Sequence, residues 1–323
     1  MTFMAPAPIT SRWMGTDEAG YGPNLGPLLI SVTAWRVPGV TSEVDLYDLL
    51  RDAVDRDSHV HGTRLHIADS KQVYTPAKGI GSLETSALAL LSQTGPIPRS
   101  YSQLVQRLTG VDLARTEGEP WLREGDLELP TVAALDDIER LAAQLREVCV
   151  RKGVVVESLA SDMVETPRFN RECEAAGSKG VVLTRATLSL LERHWPADGI
   201  PTLVICDKHG GRNQYSAALS EAFDEMFITR LSESAERSAY KIRGGEVRFQ
   251  VRAEQHLPTA AASILSKYLR EVSMEMFNRY WIKRVPGLKP TKGYPEDAKR
   301  FRESIADTAR DLGISDLILW RQR

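Results

Sequence analysis

The sequence predicts a layered α/β fold, and three features carry that expectation. TLVICD (Thr202–Asp207) is a near-continuous apolar run bounded by Pro201 and a Gly-Gly loop, as a buried central strand should be. Segments of helical periodicity, the longest at Pro258–Trp281, are mixed with β-rich stretches. The 323 residues contain no internal repeat, and their length allows one large domain or two modest ones.

Taken in chain order, LLISVTAW (Leu28–Trp35) is apolar and β-rich and follows the Gly/Pro-dense loop GYGPNLGP; it predicts the first strong strand. Leu65–Ala68 predicts a short strand ending at Asp69-Ser70-Lys71, and Ser82–Gln93 reads as either helix or strand. From Thr109 to Pro130 the composition turns to Gly, Pro and acid, which predicts an excursion from the core or a small lid. Thr131 is placed to N-cap the helix VAALDDIERLAAQLREVCVRK, and Gly153 to stop it. Val154–Ser158 is a short β-branched run, Gly180–Arg193 reads as a helix ended by Trp195 and Pro196, and Arg248–Arg252 suggests a strand. Further helices are expected over Glu296–Leu312 and the final residues.

Apolar residues make up 42% and charged residues 26%, which excludes a disordered tail, a collagen-like chain and a coiled coil. Cys149, Cys173 and Cys206 form no Cys-x-x-Cys pair, so a disulfide framework and a zinc ribbon are not expected and a reducing compartment is. No apolar run is long enough for a signal peptide or for the roughly 18 residues of a membrane span. The expectation is a soluble, cytoplasmic monomer. Net charge is −2, unevenly spread: from Lys241 onward 17 Lys+Arg face 10 Asp+Glu, a net of +7 on a body carrying −9. A basic third on an acidic body suits a phosphate-backbone partner, and also suits a solvated helix surface.

Three places could carry chemistry. Asp17-Glu18 precede Gly20-Tyr21-Gly22-Pro23; adjacent carboxylates beside a flexible backbone can hold a hard divalent cation, though such a pair can equally be a solvated turn. Asp207 closes its apolar strand, where open α/β sheets place ligands, or else caps the following helix. Ser263, Lys267 and Glu271 are spaced by four on one helical face, after the close-packing run Ala260–Ala262; Lys267–Glu271 can also be an ordinary surface pair. His209 could be a ligand or a satisfied loop residue. Walker and Rossmann spacings are absent, and no Ser or Cys has a convincing His/Asp partner.

Together these blocks resemble the type 2 ribonuclease H (ribonuclease HII) family. GTDEAGYGPNLGPLLISV (Gly15–Val32) resembles its opening Asp-Glu-Ala-Gly-basic-Gly-Pro motif, and Asp69-Ser70-Lys71 its Asp-Ser-Lys segment. CDKHGGRNQY (Cys206–Tyr215) resembles the strand-end Asp motif, AAASILSKYLRE (Ala260–Glu271) the Ala-Ala-Ser-Ile helix, and KGYPEDAK (Lys292–Lys299) the Gly-Tyr-Pro segment. The resemblance implies a ribonuclease-H-like mixed sheet flanked by helices over residues 10–272, an insertion near 109–130, and a basic helical C-terminal extension over 273–323. It implies a two-metal Mg²⁺ or Mn²⁺ endoribonuclease acting on RNA–DNA hybrids or ribonucleotides embedded in duplex DNA, leaving a 3′-hydroxyl and a 5′-phosphate. Asp17, Glu18, Asp207 and Glu271 then take the ligand places. Gly20, Tyr21 and Gly22 offer amides to the 2′-hydroxyl, Tyr294 stacks at the sugar, and Lys71 and Lys267 contact phosphate.

This chain departs from the family in having Tyr21 for Arg or Lys, which supplies no positive charge, and Glu271 for Asp. The basic segment Arg279–Tyr294 mixes cations with aromatics where, by the resemblance, the family's duplex-binding extension begins, and its cations are expected to track phosphates. The alternative reading is a non-catalytic binder of ribonucleotide-containing duplexes; another keeps nuclease chemistry on structured RNA or DNA alone.

Overall fold

The computed structural model describes residues 10–40, 44–57, 62–115 and 118–322. The N-terminal residues 1–9, read above for the absence of a signal peptide, lie outside the described residues, as do two positions of the 109–130 excursion.

The chain opens with strands β1 (Thr10–Ala19) and β2 (Leu28–Pro38), the single turn α1 (Leu46–Leu49) and the short strands β3 (Val54–Asp55) and β4 (Leu65–His66). Helices α2 (Ser70–Val73), α3 (Gly81–Leu91), α4 (Tyr101–Thr109) and α5 (Leu135–Lys152) follow, then β5 (Val155–Val164), α6 (Thr166–Ala176), α7 (Lys179–His194) and β6 (Thr202–Asp207). The remainder is α8 (Ser216–Phe223), β7 (Thr229–Glu233), β8 (Arg237–Ile242), β9 (Gly245–Gln250), α9 (Leu257–Ile282), α10 (Pro295–Asp311) and α11 (Asp316–Leu319).

Among the described residues seven strands form one mixed sheet in the order β5-β2-β1-β6-β9-β8-β7, with helices on both faces and at the C-terminal end, the α/β class expected. The central strands β1, β6 and β9 run parallel, and every other pairing in this sheet is antiparallel. Period-two alternation divides the core. Trp13, Leu29, Leu203 and Ile205 face α3, α5 and α9, while Met14, Ile30, Val204 and Cys206 face α7 and α8. Helix α9 approaches β1 so closely that a Cβ on Gly15 would lie 2.2 Å from the Thr259 nitrogen. Thr33 Oγ1 donates to the Pro258 carbonyl (2.8 Å) and Thr259 Oγ1 to that of Ile205 (3.0 Å), fixing the helix start across three strands.

Several expectations change. Asp17-Glu18 end a strand, β1, that the sequence left unassigned ahead of Leu28. Thr131 does not cap α5, which starts at Leu135; its amide and hydroxyl instead donate to buried Glu84, with the Val132 and Ala133 amides beside them. Gly153 does stop that helix, in the left-handed conformation (φ 66°). Ser82–Gln93 belongs largely to helix α3, and the strand expected at Arg248–Arg252 runs from Gly245 to Gln250. The 109–130 excursion packs Trp121 against Phe277, Tyr280 and Trp281 on the distal half of α9. Helix α9 runs unbroken through residue 272. Among the described residues no helix is long and apolar enough to cross a membrane.

Candidate active site

Parallel neighbours β1 and β6 pair Thr16 with Cys206. The next residues, Asp17 and Asp207, therefore stand side by side just past the last β1–β6 pair, near the carboxyl ends of strands about 4.8 Å apart and still held by Ser31 of β2 and Gln250 of β9. Alternation puts both on the face that α9 covers. There the Ser263 hydroxyl bonds the Asp17 carboxylate, and its oxygen accepts the Ser70 amide (3.3 Å), tying the start of α2 to the same point.

The acids act strongly on one another. Burial raises the Asp17 carboxyl well above its ordinary value, the charges of Glu18 and Asp207 raise it further, and the Ser263 bond opposes them. Burial and then Asp207 push Glu18 up to about 7, with Glu254 adding and Lys71 opposing. Burial and then Glu254 push Asp207 up to about 6, with Asp69 adding and Lys71 again opposing. A cleft of about 580 Å³ opens beside Asp207, lined by Arg56, Asp69, Lys208, Arg252 and Glu254 among others. Glu254 sits in one 3-10 turn (Ala253–Gln255) directly after Arg252, which is held at φ 57°. A left-handed non-glycine residue at a cleft edge is the kind of local strain that functional sites retain.

Glu271 stands elsewhere. It lies eight residues beyond Ser263 on one helix, hence about 12 Å farther along the axis at about 1.5 Å per residue. Its oxygens are taken by Lys267 and Lys292, each at 2.6 Å. Burial pushes its carboxyl up, but the two lysines outweigh burial and hold it at about 2. The expected fourth ligand is thus a shared anion between two cations, and the acid that faces Asp207 and Glu18 is Glu254. Lys267 is consequently engaged rather than free, its Nζ also 4.8 Å from the centre of the Tyr74 ring.

The remaining expected residues surround the cluster. Lys71 is exposed, its charge felt by both Glu18 and Asp207. Gly20 (φ 92°) begins the loop to β2, and a Cβ there would lie 2.6 Å from the Pro27 carbonyl oxygen. Gly22 has open space around it. Tyr21 packs toward α7, where Lys179 Nζ lies 4.6 Å from its ring centre, so a cation does stand beside the phenol. Tyr294 is 55% exposed at the start of α10. The carbonyl of Gly293 just before it accepts the Asn24 (2.8 Å) and Leu25 (3.3 Å) amides, joining the Gly20–Pro27 loop to the Tyr294 segment. His209 is buried against the Thr184 hydroxyl (3.0 Å), and burial lowers it to about 3; it is a neutral structural residue. Much of the basic segment is neutralised locally: Arg279 pairs with Glu275, and Lys283 and Arg284 with Glu124.

The donor chemistry fits a hard divalent cation: all-oxygen carboxylates that raise one another, with Lys71 the cation opposing them at both Glu18 and Asp207. Among the described residues no three His, Cys, Asp or Glu side chains are already drawn together tightly enough to hold an ion. Sequence reasoning missed Glu254, Lys179, Arg270 and Arg321. For Glu254 the usable signal was its position just past a strand that neighbours β6.

No family model and no curated protein matches the chain. Among solved structures it is similar to ribonuclease H2 from Pyrococcus horikoshii (15% identity, 95% of this chain and 92% of that one, TM-score 0.48). It is also similar to RNase HII of Archaeoglobus fulgidus, solved with PCNA (15%, 96% and 94%, TM-score 0.43). Bst-RNase HIII in complex with Mn²⁺ is a third (17%, 96% and 66%, TM-score 0.40). At such identities and scores these likenesses stand beside the geometry and do not decide function.

Proposed function

We propose that the chain is a divalent-metal-dependent endoribonuclease of the ribonuclease H type, cutting the RNA strand of RNA–DNA hybrids or duplex DNA at embedded ribonucleotides. The observation that carries this reading is the gathering of Asp17, Glu18, Asp207 and Glu254 at one sheet end beside a glycine-rich loop. A pure binder of phosphate gains nothing from clustered negative charge.

Asp17, Glu18, Asp207 and Glu254 would hold Mg²⁺ or Mn²⁺. When bound, two such ions supply charge stabilisation and a more acidic water for phosphodiester hydrolysis. The protein's own part is positional. Ser263 orients the Asp17 carboxylate, and Ser70, bonded to Ser263, keeps Lys71 within electrostatic reach of the acids. Lys71 thereby offers a cation to a substrate phosphate. Amides of Gly20–Gly22 present donors to a 2′-hydroxyl, the group that separates RNA from DNA, and exposed Tyr294 offers a face to the sugar. Cleavage of a labelled ribonucleotide-containing duplex by wild type and by Asp207→Asn tests the site. The variant should bind the duplex and not cut it; full metal-dependent cutting by the variant would show the assignment to be wrong. Binding without cutting by wild type in both metals would favour the non-catalytic alternative.

A further inference from the structure

Two arginines lie buried beneath the loop that follows Asp17-Glu18. Arg270 is 3% exposed and Arg321 2%, and neither makes an ion pair with a carboxylate among the described residues. Both serve backbone carbonyls instead. Arg321 Nη2 donates to the Gly20 carbonyl (2.6 Å) and to that of Pro23. Arg270 Nη2 donates to the carbonyls of Lys292 (3.1 Å) and Leu25 (3.4 Å). The Arg321 backbone joins the same loop: its amide donates to the Asn24 carbonyl (2.9 Å), and Asn24 Nδ2 donates back to the Arg321 carbonyl (3.2 Å).

Arg321 is itself held from α6. Its guanidinium lies 4.9 Å from the centre of the Phe169 ring. Asn170 Nδ2 donates to the Trp320 carbonyl (3.0 Å), and Asn170 Oδ1 accepts the Gln322 amide (2.8 Å). Burying a guanidinium costs stability unless it is paired and fully hydrogen-bonded. Among the described residues Arg270 Nη1 and Arg321 Nε and Nη1 have no hydrogen-bond partner, and burial lowers both side chains from their ordinary values. Glu271 and Glu119 act on Arg270 and Arg321 only from a distance, with no ion pair among the described residues, so positive charge stands beneath a loop where Tyr21 brings none of its own.

The backbone geometry gives these bonds a consequence. In a trans peptide the C=O and the following N–H point in opposite directions. With the Gly20 oxygen drawn inward to Arg321, the Tyr21 N–H of the same peptide points outward. We propose that Arg321, seconded by Arg270, is a positioning residue for the ribonucleotide: it pulls the Gly20 and Pro23 carbonyls in and so presents the Tyr21 amide to the 2′-hydroxyl. This rests on the endoribonuclease reading above, but the clasp itself can be tested without it.

The experiment uses the full chain and the variants Arg321→Met and Arg321→Lys, with two readouts. The first is hydrogen exchange of segment 20–27, where the Asn24 and Leu25 amides report the seating of the loop on Gly293. The second is the ratio of affinities, without metal, for a DNA duplex carrying one ribonucleotide and the same duplex all in DNA. Arg321→Met should speed exchange across the loop and lower the ribonucleotide preference about tenfold, the worth of one well-made hydrogen bond. Arg321→Lys, which keeps the charge and loses the fork, should fall between; it carries the comparison if Arg321→Met does not melt cooperatively. Unchanged exchange in both variants overturns the clasp, whatever the substrate. Faster exchange with an unchanged ratio overturns its role in discrimination. A wild type with no ribonucleotide preference overturns that role together with the functional reading, and the exchange result then decides the clasp alone.

Discussion

Replacing Asp207 by Asn should make the metal-free protein more stable while it abolishes cleavage. Burial, followed by the charge of Glu254, lifts this carboxyl from an ordinary 3.8 to about 6. A displacement of about two units corresponds to at most about 3 kcal/mol. The folded state holds the proton more tightly than the unfolded state does. Protonation therefore stabilises the fold fully below about pH 4, and that contribution is lost as pH rises through about 6. At pH 8 wild type carries the whole cost of the buried charge, and Asn carries none. At about 2.1 cal/mol/K of unfolding entropy per residue, a chain this long changes by about 0.7 kcal/mol per degree, so the gain is about 4 °C in Tm. Melts in EDTA at pH 4 and pH 8 read it directly: little difference at the lower pH, a higher Tm for the variant at the upper. Added Mn²⁺ should raise Tm for wild type at pH 8 and do much less for the variant. A variant that melts below wild type at pH 8 in EDTA would refute the argument, because Asp207 would then be a stabilising group and not one end of a like-charge cluster.

The other predictions follow from the same geometry. Glu254→Gln should lower metal-dependent cleavage by about 10²-fold, whereas Glu271→Gln should cut near the wild-type rate. The second change should instead cost about 2 kcal/mol in a denaturant melt, because it leaves Lys267 and Lys292 without their shared carboxylate. That contribution of Glu271 is present above about pH 4.5 and is lost as pH falls toward 2. Gly15→Ala should destabilise by about 3 kcal/mol by urea midpoint, since its Cβ would sit 2.2 Å from the Thr259 nitrogen and force α9 off β1. Lys71→Ala should weaken duplex binding at all sequences and reduce the slope of log affinity against log salt by about one.

Much of the sheet centre was legible because burial on both faces leaves a plain apolar run, as in β6. Its neighbour β1 was hidden by polar residues that the fold satisfies privately. Arg12 is 1% exposed yet paired with Glu157 and Asp198, and Gly15 is small because α9 presses on it. Strand β7 is largely exposed at the sheet edge and gives no alternation to read. Asp17, Glu18 and Asp207 were legible as ordered motifs, each beside a glycine-bearing turn. Glu254 was not, because one 3-10 turn has no periodicity and its approach to Asp207 is set by strand pairing far away in sequence. Glu271 was attractive for its spacing from Lys267, and that same spacing binds it to the lysine. Arg321 acts across about three hundred residues of sequence on Gly20, a contact that local pattern does not encode.

The most direct test of the central claim is cleavage of three matched labelled duplexes by wild type in Mg²⁺ and in Mn²⁺. One is all DNA, one carries a single ribonucleotide, and one is an RNA–DNA hybrid. The account predicts metal-dependent cutting of a ribonucleotide-bearing strand and none of the all-DNA duplex. Equal cutting of all three, or cutting that survives EDTA, would contradict it.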